Sequence, residues 1–368
     1  MAVAPGAASG LMWEPWMRRA LALAALAEGR TSPNPLVGAV VLDADGRLVG
    51  EGFHARAGQP HAEVGALAQA GEAARGGTMC VTLEPCCHHG RTPPCSEAVL
   101  QAGITRVVIA LEDPDPRVAG GGITQLRQAG VEVITGVLRE EAIEQNRNFL
   151  HRIHTGRPFG ILKWAMSLDG RTALSNGASQ WITGPPARAW VHQLRSRVDA
   201  VIVGGGTLRA DDPLLTSRGL RDPEPLRVVL SRSLELPSEA RIWDVSVART
   251  LVVHGPELSA GTLPDGPESL SLRVCEPAAL MEALAQRGCN AVLWECGPEL
   301  AAAAIRQGCV QEVVGVVAPK LMGGLPARTP LGDLGFTGME QVERAFLDPP
   351  QQLGADWLLR MRINAVGS

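Results

Sequence analysis

The sequence predicts an α/β protein of two domains, and three observations support this prediction. Apolar, strand-like runs alternate with helical stretches along both halves of the chain, which is typical of helices packed on a β-sheet. The length of 368 residues suits two domains, at roughly 100–200 residues per domain. The alternation gives way to a polar, basic segment around residues 146–158, so we place the boundary between domains 1–150 and 151–368 there.

The first domain begins with a helix predicted over residues 16–27, which ends before Gly29 because glycine and the prolines beyond it stop a helix. An apolar run at 37–42, a turn at 43–46 and a second strand at 47–52 predict a β-hairpin. The remaining elements alternate; they are the helices 61–69, 96–101 and 123–128 and the strands 79–83, 107–111 and 131–134.

The second domain repeats the alternation. Its predicted strands are 161–166, 200–203, 226–230, 251–253, 291–295 and 312–317, and its predicted helices are 186–197, 278–287 and 299–307. A stretch rich in proline and glycine at 255–267 predicts a surface loop.

The net charge and the distribution of the cysteines narrow the classes of protein to which this chain can belong. A net charge of −4 argues against a nucleic-acid binder, which needs a positive surface to neutralise phosphates. No apolar run reaches the roughly 18 residues of a transmembrane helix, and the N-terminus does not resemble a signal peptide. Four of the eight cysteines lie between positions 80 and 95. Such a cluster in a long chain indicates a metal or catalytic site rather than a disulfide framework, so we expect a cytoplasmic protein.

The densest group of reactive residues is His61 and Glu63, in an H-x-E pattern, followed by Cys86 after a proline and by Cys95. One imidazole and two thiolates make a three-ligand zinc site with a fourth position open for water. Zinc lowers the pKa of that water to about 7, and a neighbouring carboxylate can pass its proton to a leaving amine. The alternative is that His61 and Glu63 form a solvated helix start and that the cysteines are small core residues.

These residues resemble the H-x-E and P-C-x-x-C signature of zinc-dependent nucleoside and nucleobase deaminases. Here, however, eight residues rather than two separate Cys86 from Cys95. The run LEPCCHHGRTPPC at 83–95, with NPLVGAVV at 34–41, more closely resembles the deaminase half of the bifunctional riboflavin-biosynthesis deaminase-reductase family. The resemblance covers most of residues 14–150, and Cys87 stands where that family has serine.

The resemblance implies a cytidine-deaminase-like α/β/α domain in which His61, Cys86 and Cys95 bind zinc and Glu63 shuttles the proton. Cys87 is an alternative ligand, but we favour Cys86 because it directly follows the proline, as the pattern requires.

Further positions of this half are implied by the same resemblance. Asn34 and His54 would hold the pyrimidine and the ribose, and Arg91 would contact a phosphate. His88 and His89 are extra histidines that we assign to the rim of the pocket or to solvent, with metal binding as the alternative.

The second domain lacks a dinucleotide fingerprint, because Arg209 stands where the pattern G-x-G-x-x-G begun at Gly204 needs its third glycine. Glycines nevertheless follow two predicted strands, at 204–206 and at Gly297. Each can admit a phosphate to the backbone N–H groups of a helix start, although each is also compatible with a plain turn.

The runs LKWAMSLDGR at 162–171, SQWIT at 179–183 and GTLRADDP at 206–213 resemble the reductase half of the same family, which is similar in fold to dihydrofolate reductase. The family's E-G-G appears here with Cys296 in its middle. The NADPH positions implied are Ala165, Trp181, Thr207, Asp211 and Gly297. The substrate positions implied are Ser179, Arg195, Leu215, Arg218 and Glu295.

Two chemical assignments follow in this half. Arg195 and Arg218 suit a clamp for ribose 5-phosphate, because guanidinium groups match phosphate oxygens. Lys163 is a candidate for polarising the ribose oxygen during hydride transfer, with a surface lysine at a strand end as the alternative.

The resemblance thus implies a two-step enzyme of riboflavin synthesis with Zn²⁺ and NADPH as cofactors. Zinc hydroxide would deaminate 2,5-diamino-6-(5-phosphoribosylamino)pyrimidin-4-one, and NADPH would then reduce the ribosyl group to give 5-amino-6-(5-phosphoribitylamino)uracil. We expect a homo-oligomer, a dimer or tetramer, that acts on this small phosphorylated pyrimidine and binds neither nucleic acid nor membrane. The alternatives are a nucleoside or nucleobase deaminase with an unrelated C-terminal domain, and an inactive zinc protein that serves as a scaffold.

Overall fold

The computed structural model describes residues 5–87, 93–114, 120–257, 263–325, 328–342 and 345–363. The chain divides into two compact units, Met1–Thr155 and Gly156–Ser368, each with its own β-sheet. Both units combine helices with strands, so the α/β prediction is confirmed. None of the helices in the described residues combines the length and apolar character needed to cross a lipid bilayer.

The first unit is built around one sheet. Its strands are β1 (Gly38–Leu42), β2 (Leu48–Phe53), β3 (Thr78–Leu83), β4 (Arg106–Leu111) and β5 (Glu132–Thr135). They lie in the order β2-β1-β3-β4-β5, with β1 antiparallel to both of its neighbours and β3, β4 and β5 parallel. Its helices are α1 (Pro5–Ala25), α2 (Ala62–Ala70), α3 (Cys95–Gln101), α4 (Gly121–Gln128), α5 (Arg139–Gln145) and α6 (Arg147–Thr155).

Three helices of this unit differ from the sequence prediction, and one of them, α5, was not predicted at all. α1 begins at Pro5 rather than at residue 16 and continues through Pro15, a residue that is disfavoured inside a helix. α6 occupies the polar segment that was predicted to be irregular, and Leu150 is its buried residue. The polar, basic composition of the segment hid this helix, although its apolar residues Phe149, Leu150 and Ile153 have helical spacing.

Glycine allows α2 to lie directly on β2. A Cβ at Gly52 would be 2.3 Å from the carbonyl oxygen of Ala62, so only a residue without a side chain permits this approach. The contact fixes the first turn of α2, which carries Glu63 and directly follows His61.

The second unit has a longer sheet. Its strands are β6 (Phe159–Ser167), β7 (Ala200–Gly204), β8 (Leu226–Leu230), β9 (Thr250–His254), β10 (Glu268–Ser271), β11 (Ala291–Trp294), β12 (Glu312–Ala318), β13 (Phe346–Leu347), β14 (Gln351–Leu353) and β15 (Asp356–Arg362). The order is β10-β9-β8-β7-β11-β6-β12-β15-β13, with β14 also paired to β15. From β10 to β12 neighbouring strands are parallel, and β15 is antiparallel to β12.

Helices cover this sheet, and both of its faces are buried. The helices are α7 (Pro185–Ser196), α8 (Gly205–Asp211), α9 (Pro277–Gln286) and α10 (Pro298–Arg306). On β7, Val201 belongs to one hydrophobic cluster and Ile202 to the other. This explains the nearly continuous apolar runs of the parallel strands, since alternate residues face two different cores.

Several elements of the second unit were not predicted. α8 begins with two glycines, which are poor helix formers, so the sequence indicated a turn. β10 is short and polar, and β13 to β15 follow neither a helical nor an alternating pattern. The stretch at 255–267 contains no helix or strand in its described residues, as predicted for a loop, and residues 258–262 lie outside them.

Candidate active sites

The first unit brings three metal-binding side chains together. His61 directly precedes α2, Cys95 is the first residue of α3, and Cys86 lies in the loop after β3. Their donor atoms all lie within 4.8 Å of one another. His61 Nδ1 is 3.1 Å from Cys95 Sγ and 3.7 Å from Cys86 Sγ. A tetrahedral zinc site, with bonds of about 2.0–2.3 Å, places neighbouring donors roughly 3.3–3.8 Å apart, so these side chains fit the ion.

The two thiols divide one negative charge between them. The pKa of Cys86 is lowered to about 4, because the Cys95 thiol and the His61 imidazole hydrogen-bond to its sulfur and outweigh burial. The backbone N–H of Cys95 also donates to Cys86 Sγ at 3.3 Å. The pKa of Cys95 is raised by its hydrogen bond to Cys86 and by burial. A divalent cation is the kind of partner that would allow both thiols to ionise.

Cys87, the competing thiol, lies outside this group. A Cβ at Gly121, in the first turn of α4, would be 2.6 Å from Cys87 Sγ, so this side chain packs against α4. Among the described residues, the metal-binding group contains His61, Cys86 and Cys95 but not Cys87. This placement supports the preference for Cys86 as the ligand.

Glu63 lies in the first turn of α2 with only 4% of its surface exposed. Burial raises the pKa of its carboxyl group above the ordinary range, and its contacts with His61 and Cys95 oppose the rise. The side chain therefore sits beside the metal-binding group, where a carboxyl group can accept and return a proton.

Asn34 and His54 lie next to the same group. His54 Nδ1 is 3.1 Å from the carbonyl oxygen of Pro60, which can only accept, so Nδ1 carries the proton and Nε2 accepts from Asn34 Nδ2 at 3.0 Å. The rings of His54 and His61 are 5.5 Å apart. Burial lowers the pKa of His54, which keeps this imidazole neutral near pH 7.

Three sequence predictions cannot be placed, because Arg91, His88 and His89 lie outside the described residues. Glu84, in contrast, was missed by the sequence reasoning although it organises the site. Its buried carboxylate accepts hydrogen bonds from the backbone N–H groups of Asp113, Gly120 and Ile123, at 3.1, 3.0 and 3.1 Å. An acidic residue at the end of an apolar strand was the signal that could have revealed it.

The second unit contains two adjoining cavities of about 530 and 420 Å³ at the carboxyl ends of β6, β7 and β11. Ligands of open α/β sheets bind at such ends, where the strand order reverses. Six predicted site residues line both cavities: Lys163, Ala165, Ser179, Arg195, Asp211 and Glu295. Thr207, Leu215 and Gly297 line only the larger cavity, and Trp181 and Arg218 line only the smaller one.

A buried ion-pair network lies where the two cavities meet. Arg195 donates from Nε and Nη2 to the two carboxylate oxygens of Glu295, at 2.6 and 3.0 Å, and from Nη1 to the carbonyl oxygen of Thr216. Lys163 Nζ is 3.6 Å from the same carboxylate. Burial opposes ionisation of Glu295, but the charges of Arg195 and Lys163 outweigh it and lower the pKa of Glu295 to about 2. Three of the five N–H groups of Arg195 are thus occupied.

The larger cavity also receives the starts of two helices. α8 follows Gly204 and α10 follows Gly297, and neither helix has a side-chain cap at its N-terminus. Uncapped N–H groups at a helix start can bind phosphate oxygens. Cys296 lies between the ion-pair network and α10, and burial raises the pKa of its thiol to about 12, so the thiol stays protonated at neutral pH.

Polar contacts also fix the positions of Ser179 and Trp181, which line the smaller cavity. Ser179 Oγ donates to Asp211 Oδ1 at 2.8 Å, which joins a predicted substrate residue to a predicted cofactor residue. The guanidinium carbon of Arg188 lies over the ring of Trp181, 4.6 Å from its centroid. The backbone carbonyl oxygen of Trp181 accepts a hydrogen bond from Lys320 Nζ at 2.8 Å.

Leu215 and Arg218 lie in a tight loop that sequence reasoning did not resolve. Both residues have left-handed backbone conformations, with φ of 57° and 62°. Glu224 braces this loop: its carboxylate accepts from the N–H and hydroxyl of Ser217, both at 2.6 Å, and from the N–H of Gly219 at 2.8 Å. The brace holds Arg218 at the smaller cavity.

Two family models match the chain, one in each unit. Residues 13–111 match the family model "Cytidine and deoxycytidylate deaminase zinc-binding region". Residues 158–356 match the model "RibD C-terminal domain".

Similar proteins cover nearly the whole chain. The riboflavin biosynthesis protein RibD of Synechocystis sp. is 53% identical over 346 residues, which is 93% of this chain and 94% of that protein. The RibD of Aquifex aeolicus is 41% identical and covers 94% of this chain and 96% of its own length. The solved structure of Acinetobacter baumannii RibD, form 1, has a TM-score of 0.88 at 41% identity and covers 96% of this chain and 99% of its own.

A Thermotoga maritima structure described as a diaminohydroxyphosphoribosylaminopyrimidine deaminase/5-amino-6-(5-phosphoribosylamino)uracil reductase also matches. It has a TM-score of 0.88 at 36% identity, over 96% of this chain and 99% of its own.

Proposed function

The chain belongs to the RibD family of bifunctional riboflavin-biosynthesis deaminase-reductases, and we propose that its two units act in turn on one phosphorylated pyrimidine. The first unit would deaminate 2,5-diamino-6-(5-phosphoribosylamino)pyrimidin-4-one, and the second would reduce the ribosyl group of the product to ribityl. One observation carries the proposal: the same chain holds a three-donor zinc site beside a buried carboxyl group and a pair of cavities lined with cations. The RibD match over residues 158–356 excludes an unrelated C-terminal domain.

In the deaminase unit, His61, Cys86 and Cys95 would hold Zn²⁺. Bound there, zinc would lower the pKa of a coordinated water to about 7 and so supply the nucleophile at neutral pH. Glu63 takes up a proton at its carboxylate and delivers it to the leaving amine, since it lies beside the donors and is itself shielded from bulk water. The Asn34–His54 pair orients the pyrimidine next to His61.

In the reductase unit, the cofactor is a nicotinamide nucleotide, which we propose to be NADPH; it would supply the hydride. Its proposed contacts are Ala165, Trp181, Thr207, Asp211 and Gly297. The uncapped start of α10 at the larger cavity supports a bound phosphate there.

The substrate would occupy the smaller cavity and the junction. Ser179, Arg195, Leu215, Arg218 and Glu295 are its proposed contacts. Lys163 holds a proton near the ribose oxygen, and Glu295 keeps that ammonium in place through its charge. Because Arg195 is occupied mainly by Glu295, Arg218 is the arginine best placed to meet the phosphate.

Replacing Glu63 with glutamine tests whether deamination and reduction take place at separate sites. We expect the kcat for ammonia release from the diaminopyrimidine to fall about 10²–10⁴-fold, the usual contribution of general acid–base catalysis. NADPH oxidation with the deaminated intermediate supplied should be unchanged. Glu51→Gln, which only removes the surface pair with Arg19, is the control and should retain both activities. Loss of both activities in Glu63→Gln with zinc still bound would contradict separate sites.

The reductase assignment is tested with Arg218→Ala and with the choice of cofactor. The variant should raise the KM for the deaminated intermediate and leave ammonia release intact.

The native enzyme should oxidise NADPH at least about tenfold more efficiently than NADH, since a 2′-phosphate contact to a cation or helix start is worth about 1.4 kcal/mol or more. Equal use of the two cofactors would exclude NADPH as the dedicated reductant.

We also propose a small homo-oligomer, a dimer or tetramer, located in the cytoplasm. Phe346 and Leu347 on β13 and Trp357 on β15 are 69%, 55% and 46% exposed, and apolar surface of this kind marks interfaces. None of the eight cysteines forms a disulfide, which suits a reducing compartment. Light scattering of the purified enzyme should give a mass of two or four chains, and cell fractionation should recover the activity with cytoplasmic enzymes.

A further inference from the structure

We propose that His192 is a direct ligand of the substrate's phosphate group in the smaller cavity of the reductase unit, donating a hydrogen bond from Nε2. The proposal rests on the proposed reductase function and adds a contact to it. It follows from the position of His192 on α7, from the charges around it and from the surroundings of its two ring nitrogens.

His192 belongs to a stripe of α7 that faces the cavity. Arg188, Val191, His192 and Arg195 all line the smaller cavity. Their spacing of three, four and seven residues places them on one face of a helix. His192 therefore lies between two arginines and shares their orientation.

The cavity is built to attract an anion. Its lining contains the cations Lys163, Arg188, Arg195, Arg218 and Arg241 and the acids Asp211 and Glu295. Five positive and two negative side chains leave an excess of three positive charges, which favours a phosphate monoester over a neutral sugar.

Several of these cations are occupied by protein groups. Arg195 pairs with Glu295, Arg188 donates to the carbonyl oxygen of Thr183 at 2.7 Å, and Arg241 pairs with Asp212 at 3.0 Å. Within the described part of the chain, the side chain of Arg218 makes no hydrogen bond or ion pair. A phosphate held by Arg218 alone would leave most of its oxygens without donors, so a second donor is needed.

The ring of His192 can supply that donor. Nδ1 is buried and has no hydrogen-bond partner among the described residues, whereas Nε2 is not among the buried unpaired atoms. A buried N–H without an acceptor is costly, so a neutral ring carries its proton on Nε2, the nitrogen that a ligand can reach.

The ring should bind the anion in its neutral form. In the free protein, burial and the charges of Arg195, Arg218 and Lys163 lower the pKa of His192, and Glu295 opposes them. These groups come from α7 itself, the loop before β8, β6 and the residue after β11. An imidazolium would place a second proton on Nδ1, which is buried and has no acceptor among the described residues, so the neutral ring donates to the phosphate from Nε2.

Calorimetry with ribose 5-phosphate tests the contact, using the full-length native enzyme, His192→Ala and His192→Gln. Because a hydrogen bond to a charged group is worth roughly 1.5–3 kcal/mol, His192→Ala should weaken binding about 10- to 100-fold. The glutamine amide reaches the position of Nε2 and should restore most of the affinity. Unphosphorylated ribose is the control ligand and should bind the three proteins equally. Retained ammonia release and an unchanged unfolding temperature show that the variants are folded.

Equal affinity of the native enzyme and His192→Ala for ribose 5-phosphate would overturn the role of His192 while leaving the reductase function intact. Failure of the native enzyme to bind ribose 5-phosphate would overturn the phosphate assignment and also the proposed function of this cavity.

Discussion

The two candidate sites of this protein are assembled in different ways. The deaminase site takes its donors from His61, Cys86 and Cys95, which are close in sequence and lie within 4.8 Å in space. The reductase site takes its groups from strands and loops between Lys163 and Gly297 and arranges them around two cavities. A metal needs a few donors of fixed type in a small sphere, whereas a large substrate and cofactor need a surface. The first requirement leaves a short motif in the sequence and the second does not.

The charge balance of the sites differs as well. In the deaminase site the two thiols carry one negative charge between them. A bound metal ion would supply the positive charge that allows the second thiol to ionise as well. In the reductase site the cations belong to the protein itself, and Glu295 is ionised between Arg195 and Lys163. The first site should therefore fail when a ligand is lost, and the second when its internal ion pair is broken.

The largest effect is expected from Cys86→Ser, compared with Cys87→Ser as its matched control. A side chain that only hydrogen-bonds to a metal ligand is worth about 10–100-fold in metal affinity, so loss of a direct ligand should exceed about 100-fold and abolish ammonia release. Cys87→Ser should keep zinc and activity, since its thiol packs against α4. Measuring the zinc content of both variants by atomic absorption shows which thiol is the ligand. Loss of zinc in Cys87→Ser instead of Cys86→Ser would reverse the ligand assignment.

Next in size is Glu295→Gln, which breaks the ion pair of the reductase site. Leaving Arg195 and Lys163 without the carboxylate should lower the free energy of unfolding by about 3–5 kcal/mol and abolish NADPH oxidation. Ammonia release should remain. Glu239→Gln, an exposed acid of the same unit that lines neither cavity, is the control. If Glu295→Gln keeps its reductase activity, the network is structural only.

The pH dependence of the same ion pair has a defined sign. The pKa of Glu295 is about 2 in the folded protein against an ordinary value of 4.5, so its stabilising contribution is complete above about pH 4.5 and is lost as the pH falls toward 2. Unfolding of native enzyme and Glu295→Gln should therefore differ at about pH 6 and converge in acid. A constant difference down to about pH 2.5 would contradict the ion-pair explanation.

A smaller effect is expected from Glu224→Gln, which weakens the brace of the loop that carries Arg218. An amide can satisfy only part of the three hydrogen bonds from Ser217 and Gly219. The KM for the deaminated intermediate should rise about tenfold with little change in kcat, since the loop positions a binding group. Glu235→Gln, at an exposed loop position, is the control. A fall in kcat at unchanged KM would place the role of Glu224 in the chemical step.

The smallest effect is expected from Cys296→Gly, which restores the family residue beside the cofactor cavity. The thiol is protonated and buried, so it contributes volume rather than charge. The KM for NADPH should change about two- to threefold, the size of a free-energy change near about 0.5 kcal/mol. A tenfold decrease would show that Cys296 obstructs the cofactor.

The accuracy of the sequence predictions followed the strength of the local pattern. Strands such as β3, β4 and β7 were predicted within a residue or two because they are apolar runs bounded by polar residues. α8 was missed because its glycines indicate a turn, and α6 was missed because its segment is polar and basic, although Phe149, Leu150 and Ile153 have helical spacing. The terminal strands were missed because β15 carries an apolar triplet rather than an alternation.

The sequence alone predicted the chemistry of the deaminase site, because a histidine, a glutamate and two cysteines at these spacings suit three zinc donors and one proton carrier. It also indicated two α/β domains and a family. The sequence favoured Cys86 over Cys87, and the tertiary structure adds that Cys86, not Cys87, lies with His61 and Cys95. Only the tertiary structure revealed the buried acceptors Glu84 and Glu224 and the pairing of Arg195 with Glu295, which supports our proposal that Arg218 and His192 meet the phosphate. The physical reason is that hydrogen bonds and ion pairs join residues far apart in the chain, and no local pattern records which acceptor a given donor meets.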